Sequence, residues 1–323
     1  MRIVVIGGSG HVGSFLVPRL LRVGHEVINL TRGSRAPYVE DEAWSDVEHV
    51  AVDRSAEEAA GTFGKRVAAL EADVVIDMIC FTPDSAAALV EALRGRSGHL
   101  IHCGTIWRYG PSVKQPMRED ETSPPIGEYG TQKAAIAELL AAETASGGLV
   151  TTVLQPGHIS GPGWTPIGPV GNLDPGVWYA VSAGQEIAVP GLGAELMHHV
   201  HADDVAQAFQ LAVEHRDAAA GESFNVVAPS ALTARGFLAI AAGWFGQTAR
   251  IRSVSWAEFR SGTTAEYAEA SWQHLSRSQY ASIEKARTLL NYAPAFEPEA
   301  AVLDGIRWLI DHDQLEVANR LVI

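Results

Sequence analysis

Tyr129 and Lys133 stand four residues apart in Tyr129-Gly-Thr-Gln-Lys133, inside an alanine-rich run over residues 129–145 that reads as a helix. On a helix that spacing puts both side chains on one face. The pair suits proton transfer. A free phenol has a pKa of about 10, too high for a base at neutral pH, and a neighbouring ammonium favours the phenolate. Taken alone, the pattern equally describes a surface tyrosine beside a solvated lysine. A hydroxyl partner is available in Thr105, which follows His102-Cys103-Gly104 at the end of an apolar run. There it could hydrogen-bond a substrate oxygen beside Tyr129, or serve as an ordinary turn residue.

Such a pair needs elements that hold it against a ligand, and the first thirteen residues supply the strongest sign of them. Arg2–Ile6 is apolar and β-branched, as a buried strand is. Gly7, Gly10 and Gly13 follow at three-residue spacing, and a helical pattern runs over residues 14–23. Strand, glycine turn and helix make the first half of a dinucleotide-binding βαβ unit. Gly7 allows the sharp turn, Gly10 lets a pyrophosphate approach the backbone, and Gly13 lets the helix lie close on the sheet. The free N–H groups around His11, Val12 and Gly13, with the helix's partial positive charge, then hold the phosphates.

Strand-like runs at 26–30, 47–52, 73–79, 99–103 and 150–154 alternate with helix-like runs at 56–70, 85–93 and 129–145. That alternation predicts an α/β fold, a Rossmann-type doubly wound parallel sheet with ligands at the carboxyl ends of its strands. Residues 156–176 are rich in glycine and proline and read as loop. Beyond them the pattern predicts helices at 177–183, 203–214, 233–245, 282–290 and 298–311, with strands at 186–189 and 223–227. Residues 1–155 are read as the NAD(P)-binding domain and 156–323 mainly as a smaller substrate-binding lobe, with later elements free to complete the sheet.

The 323-residue chain is 47% hydrophobic and carries a formal net charge of −14. That balance disfavours non-specific nucleic-acid binding. Cys80 and Cys103 lie in apolar stretches and read as reduced, buried thiols of a cytoplasmic protein. No cysteine or histidine spacing suggests a metal site, no apolar run approaches the roughly 20 residues of a membrane span, and a glycine turn at residue 7 leaves no room for a signal peptide. The cluster His198, His199, His201 reads as loop before a helix, with metal binding the lesser alternative. His158 or His199 could touch a substrate. Trp107, Trp164 and Trp178 suit an apolar substrate pocket or core and lid packing equally.

The chain resembles the NAD(P)-dependent epimerase/dehydratase family, the extended short-chain dehydrogenases. The resemblance covers nearly the whole chain: Gly7-x-x-Gly10-x-x-Gly13, Asp53-Arg54, Thr105-Ile-Trp-Arg-Tyr109-Gly110, Tyr129-x-x-x-Lys133, Pro156-Gly157, His201-Ala-Asp-Asp204-Val-Ala and Phe224-Asn225-Val226. It implies a catalytic group of Thr105, Tyr129 and Lys133, with Lys133 also on the nicotinamide ribose. It implies adenine contacts at Asp53 and Arg54, and nicotinamide-side contacts near Pro156. Asp203 or Asp204 reads as a helix N-cap. The second strand ends Asn29-Leu30-Thr31-Arg32-Gly33-Ser34-Arg35, without the carboxylate that binds the ribose of NAD. Arg32 can stack on adenine and pair with a 2′-phosphate, so NADP is preferred and NAD stays open.

Four departures bear on the reaction. Asp77-Met78-Ile79-Cys80 stands where members often carry His-x-Ala, with Asp77 either buried and hydrogen-bonded or facing a loop. His158 and Met197 replace the asparagine and arginine that hold a nucleotide sugar's diphosphate. Ile106-Trp107 replaces the acidic pair of dehydrating members. The resulting expectation is hydride transfer at a secondary hydroxyl or carbonyl carbon of a small molecule, with a sugar derivative among the candidates and a homodimer as an open option. The alternatives are a nucleotide-sugar 4-epimerase with tightly held cofactor, a non-catalytic dinucleotide sensor, or an RNA-associated member like plant stem-loop-binding proteins.

Overall fold

Ile3, Val4, Val5 and Ile6 are each 1% exposed or less, so the first strand, β1 (Arg2–Ile6), shows no face to water. Side chains alternate across a strand. Ile3 and Val5 join one apolar cluster, while Val4 and Ile6 join another. A strand covered on both faces reads as a continuous apolar run, which is the pattern seen in the sequence.

The computed structural model describes every residue except Thr122. β1 is flanked by β2 (Glu26–Thr31) and β4 (Val74–Asp77). β3 (Glu48–Ala51) lies outside β2; β5 (His99–Cys103), β6 (Thr151–Pro156) and the strand Ser223–Val226 continue beyond β4. All seven pair in parallel. Strand order reverses at β1, and the crevice outside the carboxyl ends at such a point is where ligands bind in this architecture.

Helices cover both faces. Leu16 and Leu20 of α1 (Gly13–Arg22) pack with Ile3 and Val5, and the later helix Ala202–Glu214 adds Val205 and Phe209 to that side. On the other side Val4 and Ile6 meet Phe63 and Val67, Leu89 and Leu93, and Ile136 and Leu140. These come from α3 (Phe63–Ala68), α4 (Pro83–Leu93) and α5 (Gly127–Ala145). The single helix expected over 56–70 is two, α2 (Arg54–Ala59) and α3. Gly61 breaks it at φ 66°, a conformation that glycine adopts without strain.

A third apolar cluster holds the lobe together around Trp178, Phe237 and Trp244. Three short strand pairs belong to the later chain: His158–Ser160 with His199–His201, Leu196–Met197 with Leu232–Thr233, and Glu186–Pro190 with Arg250–Val254. The strand His158–Ser160 lies inside a stretch that reads as loop, and the helices Trp256–Ser261 and Ala265–Leu275 were not expected. Among the described residues, no helix is long and apolar enough to cross a membrane.

Candidate active site

The glycine turn sits where β1 meets α1. Gly7 has φ 90° and so needs glycine. A side chain on Gly13 would place its Cβ 2.1 Å from the Gly8 carbonyl oxygen. Gly13 is therefore required by the turn folding back on itself, not by helix–sheet packing as expected; Gly8 makes that approach, against the Asn29 side chain of β2. The backbone N–H groups of His11 and Val12 have no acceptor within the described residues. The His11 side chain turns away and stacks on Trp164 at 5.6 Å. Burial lowers its pKa to about 3, so the ring is neutral and adds no charge to the turn.

A cleft of about 480 Å³ opens beside this turn, lined by Gly7, Gly10, Arg32, Asp53, Ile79 and Phe81 among others. Arg32 is exposed on its rim with no partner in the described residues, while neighbouring Arg35 donates to the Tyr38 hydroxyl. The free N–H groups, the bare Cα of Gly10 and an unpaired guanidinium suit the phosphates of a dinucleotide.

Asp53 and Arg54 both line this cleft, and each also has a partner within the fold. Asp53 caps α2, accepting from the Ala56 N–H at 3.0 Å. Arg54 borders the cleft, but its guanidinium is bound to Asp77 at 2.7 Å and to Glu58 at 2.7 Å, and it also donates to Ser85. These acids raise its pKa against the effect of burial. Asp77 is 2% exposed and also accepts from the Ile79 N–H, which settles its position as buried and hydrogen-bonded.

Lys133 lies next to this ion pair at the ends of β4 and β5. It is 2% exposed, and its Nζ donates to the carbonyls of Cys80 at 2.8 Å and Cys103 at 2.7 Å. Burial pulls its pKa below the usual lysine value. Asp77, Cys80 and His102 bring one potential metal ligand each within 4.8 Å of one another. Arg54 already occupies Asp77, and burial, with Lys133 and Arg54 adding to it, holds the His102 imidazole well below its usual pKa; those two charges oppose a further cation.

Tyr129 is the third residue of α5, and its neighbour Gly130 lets the helix start lie against the Trp107 carbonyl, where a Cβ would come within 2.4 Å. This contact brings Tyr129 beside Thr105, whose hydroxyl acts to lower the pKa of the phenol. Thr105 is buried and also accepts from the Trp107 N–H at 3.2 Å. Lys133 Nζ is 6.0 Å from the Tyr129 ring centre and 4.9 Å from that of Phe81. The phenol departs from expectation. Although 43% of the residue is open, burial of its hydroxyl end pushes the pKa up to about 12, and the Thr105 hydroxyl only partly opposes this. Desolvation outweighs an ammonium at that distance.

Beyond Tyr129 the ring of Trp107 lies 6.1 Å away and leads into an aromatic and imidazole group. Trp107 meets His274 at 4.7 Å and carries the Arg277 guanidinium 3.9 Å above its face. His158 stands 5.2 Å from His199 and 5.1 Å from His274. Among the described residues neither ring nitrogen of His158 has a partner, and neither does His199 Nε2; His199 Nδ1 meets the Ser160 hydroxyl at 2.9 Å. Burial holds all three imidazoles neutral. Arg277 donates to the Gln273 and Ile126 carbonyls and has no carboxylate partner in the described residues. His274 and Arg277 escaped sequence reading. The available sign was Thr264, which caps the helix Ala265–Leu275 that carries His274 by accepting from the Tyr267 N–H, with Arg277 in the turn that follows.

The remaining candidates have structural duties. Pro156 is buried at the end of β6, in register with Val226. His198 Nδ1 accepts from the Ala281 N–H, so its Nε2 donates to the Ala228 carbonyl. His201 caps the helix Ala202–Glu214 through Nδ1 and reaches Asp304 through Nε2. Contrary to expectation, neither aspartate is the cap: Asp203 pairs with Arg19, and Asp204 accepts from the N–H groups of Ala295 and Phe296. Of the three tryptophans, Trp107 faces Tyr129, Trp164 covers the glycine turn, and Trp178 is lobe core.

The chain is similar to 2′-dehydrokanamycin reductase of Streptomyces kanamyceticus, at 30% identity over 64% of this chain and 56% of that protein. The matched part thus spans little more than half of that relative. It is 26% identical to the chloroplast stem-loop binding protein of 41 kDa b of Arabidopsis thaliana, over 94% of this chain and 78% of that one. The UDP-glucose 4-epimerase of Thermotoga maritima, solved with UDP-glucose, shares the fold with a TM-score of 0.72 at 21% identity, covering 97% of this chain and 99% of its own. A sequence model of the NAD dependent epimerase/dehydratase family matches residues 3–227, and the chain belongs to that family.

Proposed function

We propose that this protein is an NADP-preferring reductase or dehydrogenase acting on a secondary hydroxyl or carbonyl of a small molecule. The observation that carries the reading is the convergence of Thr105, Tyr129 and Lys133 at the carboxyl ends of β4 and β5, next to a cleft with phosphate-binding features. A nicotinamide dinucleotide in that cleft would donate or accept the hydride. Gly10 and the N–H groups of His11 and Val12 would hold its pyrophosphate, and Arg32 a 2′-phosphate. The rest of the chemistry belongs to the chain.

Tyr129 donates its hydroxyl proton to a carbonyl oxygen as that oxygen becomes an alkoxide, and takes the proton back in the oxidative direction. With its pKa pushed up by burial, the phenol holds its proton at neutral pH and can donate it. Thr105 holds the substrate oxygen against the phenol. Lys133, fixed by two carbonyls, supplies a stationary positive charge that favours the phenolate left behind. The substrate's remaining polar groups meet His158, His199 and His274. Neutral imidazoles give or accept hydrogen bonds and suit hydroxyls or amines. The name of the Streptomyces relative, a reductase of an aminoglycoside ketone, agrees with a polyhydroxylated substrate. A bound ketone reduced on its other face would yield an epimer by the same group, and similarity to UDP-glucose 4-epimerases keeps that outcome in view.

The test is calorimetry with NADPH and NADH, followed by NADPH oxidation with a panel of keto-glycosides. We expect tighter binding of NADPH and a loss of about ten-fold in its affinity on Arg32→Ala, with NADH unchanged. Equal affinities in the wild type contradict the cofactor preference. Isomerised product with no net NADPH consumption replaces reduction by epimerisation.

A further inference from the structure

Glu195 is a carboxylate that the fold fixes and leaves without a partner. Its backbone carbonyl accepts from the Ala234 N–H at 2.9 Å, and the next residue's N–H donates to the Ser278 hydroxyl at 3.0 Å. Its side chain makes no hydrogen bond or ion pair within the described residues, and Oε2 is closed off from solvent. The nearby arginines do not serve it. Arg252 is engaged by Glu186 and Glu258, and Arg235 by the Leu192 carbonyl and Ser253. The residue as a whole is half-buried, and a carboxylate oxygen closed off from water with no cation or donor is uncommon.

Glu195 lines a cavity of about 270 Å³ with Pro190, Trp256, Trp272, Leu275 and Ser276. This cavity shares no residue with the cofactor cleft. Two independently capped helices bring its aromatic walls together. Ser255 caps Trp256–Ser261, and Thr264 caps Ala265–Leu275, which carries Trp272. The indoles sit 5.2 Å apart at 53°, and Trp272 is 49% exposed. Glu195 is the only charged residue among the described lining residues. A neutral apolar ligand would leave its charge unmet, and an anion would be repelled.

We propose that this cavity is a binding site for a small organic ammonium ion, its alkyl groups on the faces of Trp256 and Trp272 and its charge against Glu195. Indole faces attract cations through the ring quadrupole, and the carboxylate supplies the matching charge. The site is separate from the proposed redox chemistry and does not depend on it.

Choline serves as probe, titrated by calorimetry at low ionic strength with tryptophan fluorescence followed in parallel. The wild type binds it saturably with a change in indole emission. The uncharged isostere 3,3-dimethylbutan-1-ol binds at least about ten-fold more weakly, because only the charge differs. Glu195→Gln and Trp272→Ala each weaken choline by about ten-fold or more, with thermal midpoints near that of the wild type. Tyr129→Phe leaves choline affinity unchanged, which separates this site from the cofactor cleft. The proposal is overturned by absence of saturable choline binding, by equal affinity for the neutral isostere, or by undiminished binding in Glu195→Gln.

Discussion

Lys133 and His158 both lie near Tyr129, one at the strand ends and one reached through Trp107, yet they are equipped in opposite ways. Lys133 has two carbonyl acceptors under 3 Å and the Asp77–Arg54 pair close by. His158 is half-buried, with both ring nitrogens closed off from solvent and without a partner among the described residues. The strand-end side is satisfied by the fold itself, so its geometry exists before any ligand arrives. The histidine side holds unmet hydrogen-bonding capacity, and a ligand is what completes it. In the function proposed here, one side would serve the proton chemistry and the other the identity of the substrate.

Acid should break the histidine side most severely. His198 and His274 have pKa values lowered to about 4, and His199 to about 3. The unfolded chain protonates these groups near 6.5, so below that pH it binds more protons than the folded chain. Stability is fully present above pH 6.5 and falls as pH drops toward 4, by about 1.4 kcal/mol per pH unit for each imidazole. Denaturant melts at pH 7 and pH 5 should differ by several kcal/mol. A flat profile across that window contradicts neutral burial of these rings.

Next in size is Arg54→Met. It leaves Asp77 buried and unpaired and should cost about 3–5 kcal/mol in unfolding free energy, whereas the double variant with Asp77→Asn should recover part of that loss. A cost confined to cofactor affinity, with stability unchanged, would return Arg54 to the adenine. Lys133→Met is expected to cost about 1–3 kcal/mol, since it strips both cysteine carbonyls of their donor. The smallest change sharpens the contrast most. His158→Phe removes two unpartnered nitrogens from an aromatic setting and should be neutral or stabilise by up to about 1 kcal/mol, while lowering turnover of any polar substrate. If His158→Phe destabilises as much as Lys133→Met, the two sides are not built differently.

How much of this was legible in the chain follows the same division. The strand His99–Cys103 and the helix Pro298–Asp311 could be read to the residue because local patterning sets their limits. Tyr129 and Lys133 were legible through helical spacing, and the glycine turn through its own period. The occupation of Arg54 was not, because it depends on Asp77, which is 23 residues away and reaches it only once β4 takes its place in the sheet. The raised phenol pKa depends on burial, which a spacing cannot report. His274 and Arg277 arrive on a helix far down the chain and in the turn after it, and acquire meaning only where they meet Trp107. Asp204 has the sequence context of a cap and acts instead as an acceptor for a loop 91 residues on.

The most direct test of the central claim is a single turnover with NADPH carrying deuterium at the transferable position, in wild type and Tyr129→Phe. The account predicts label on the carbinol carbon of a reduced ketone in the wild type, and a rate lower by about 10²–10⁴ in Tyr129→Phe with NADPH affinity retained. Transfer at an undiminished rate without the phenol, or no uptake of either nicotinamide dinucleotide by the wild type, would contradict it.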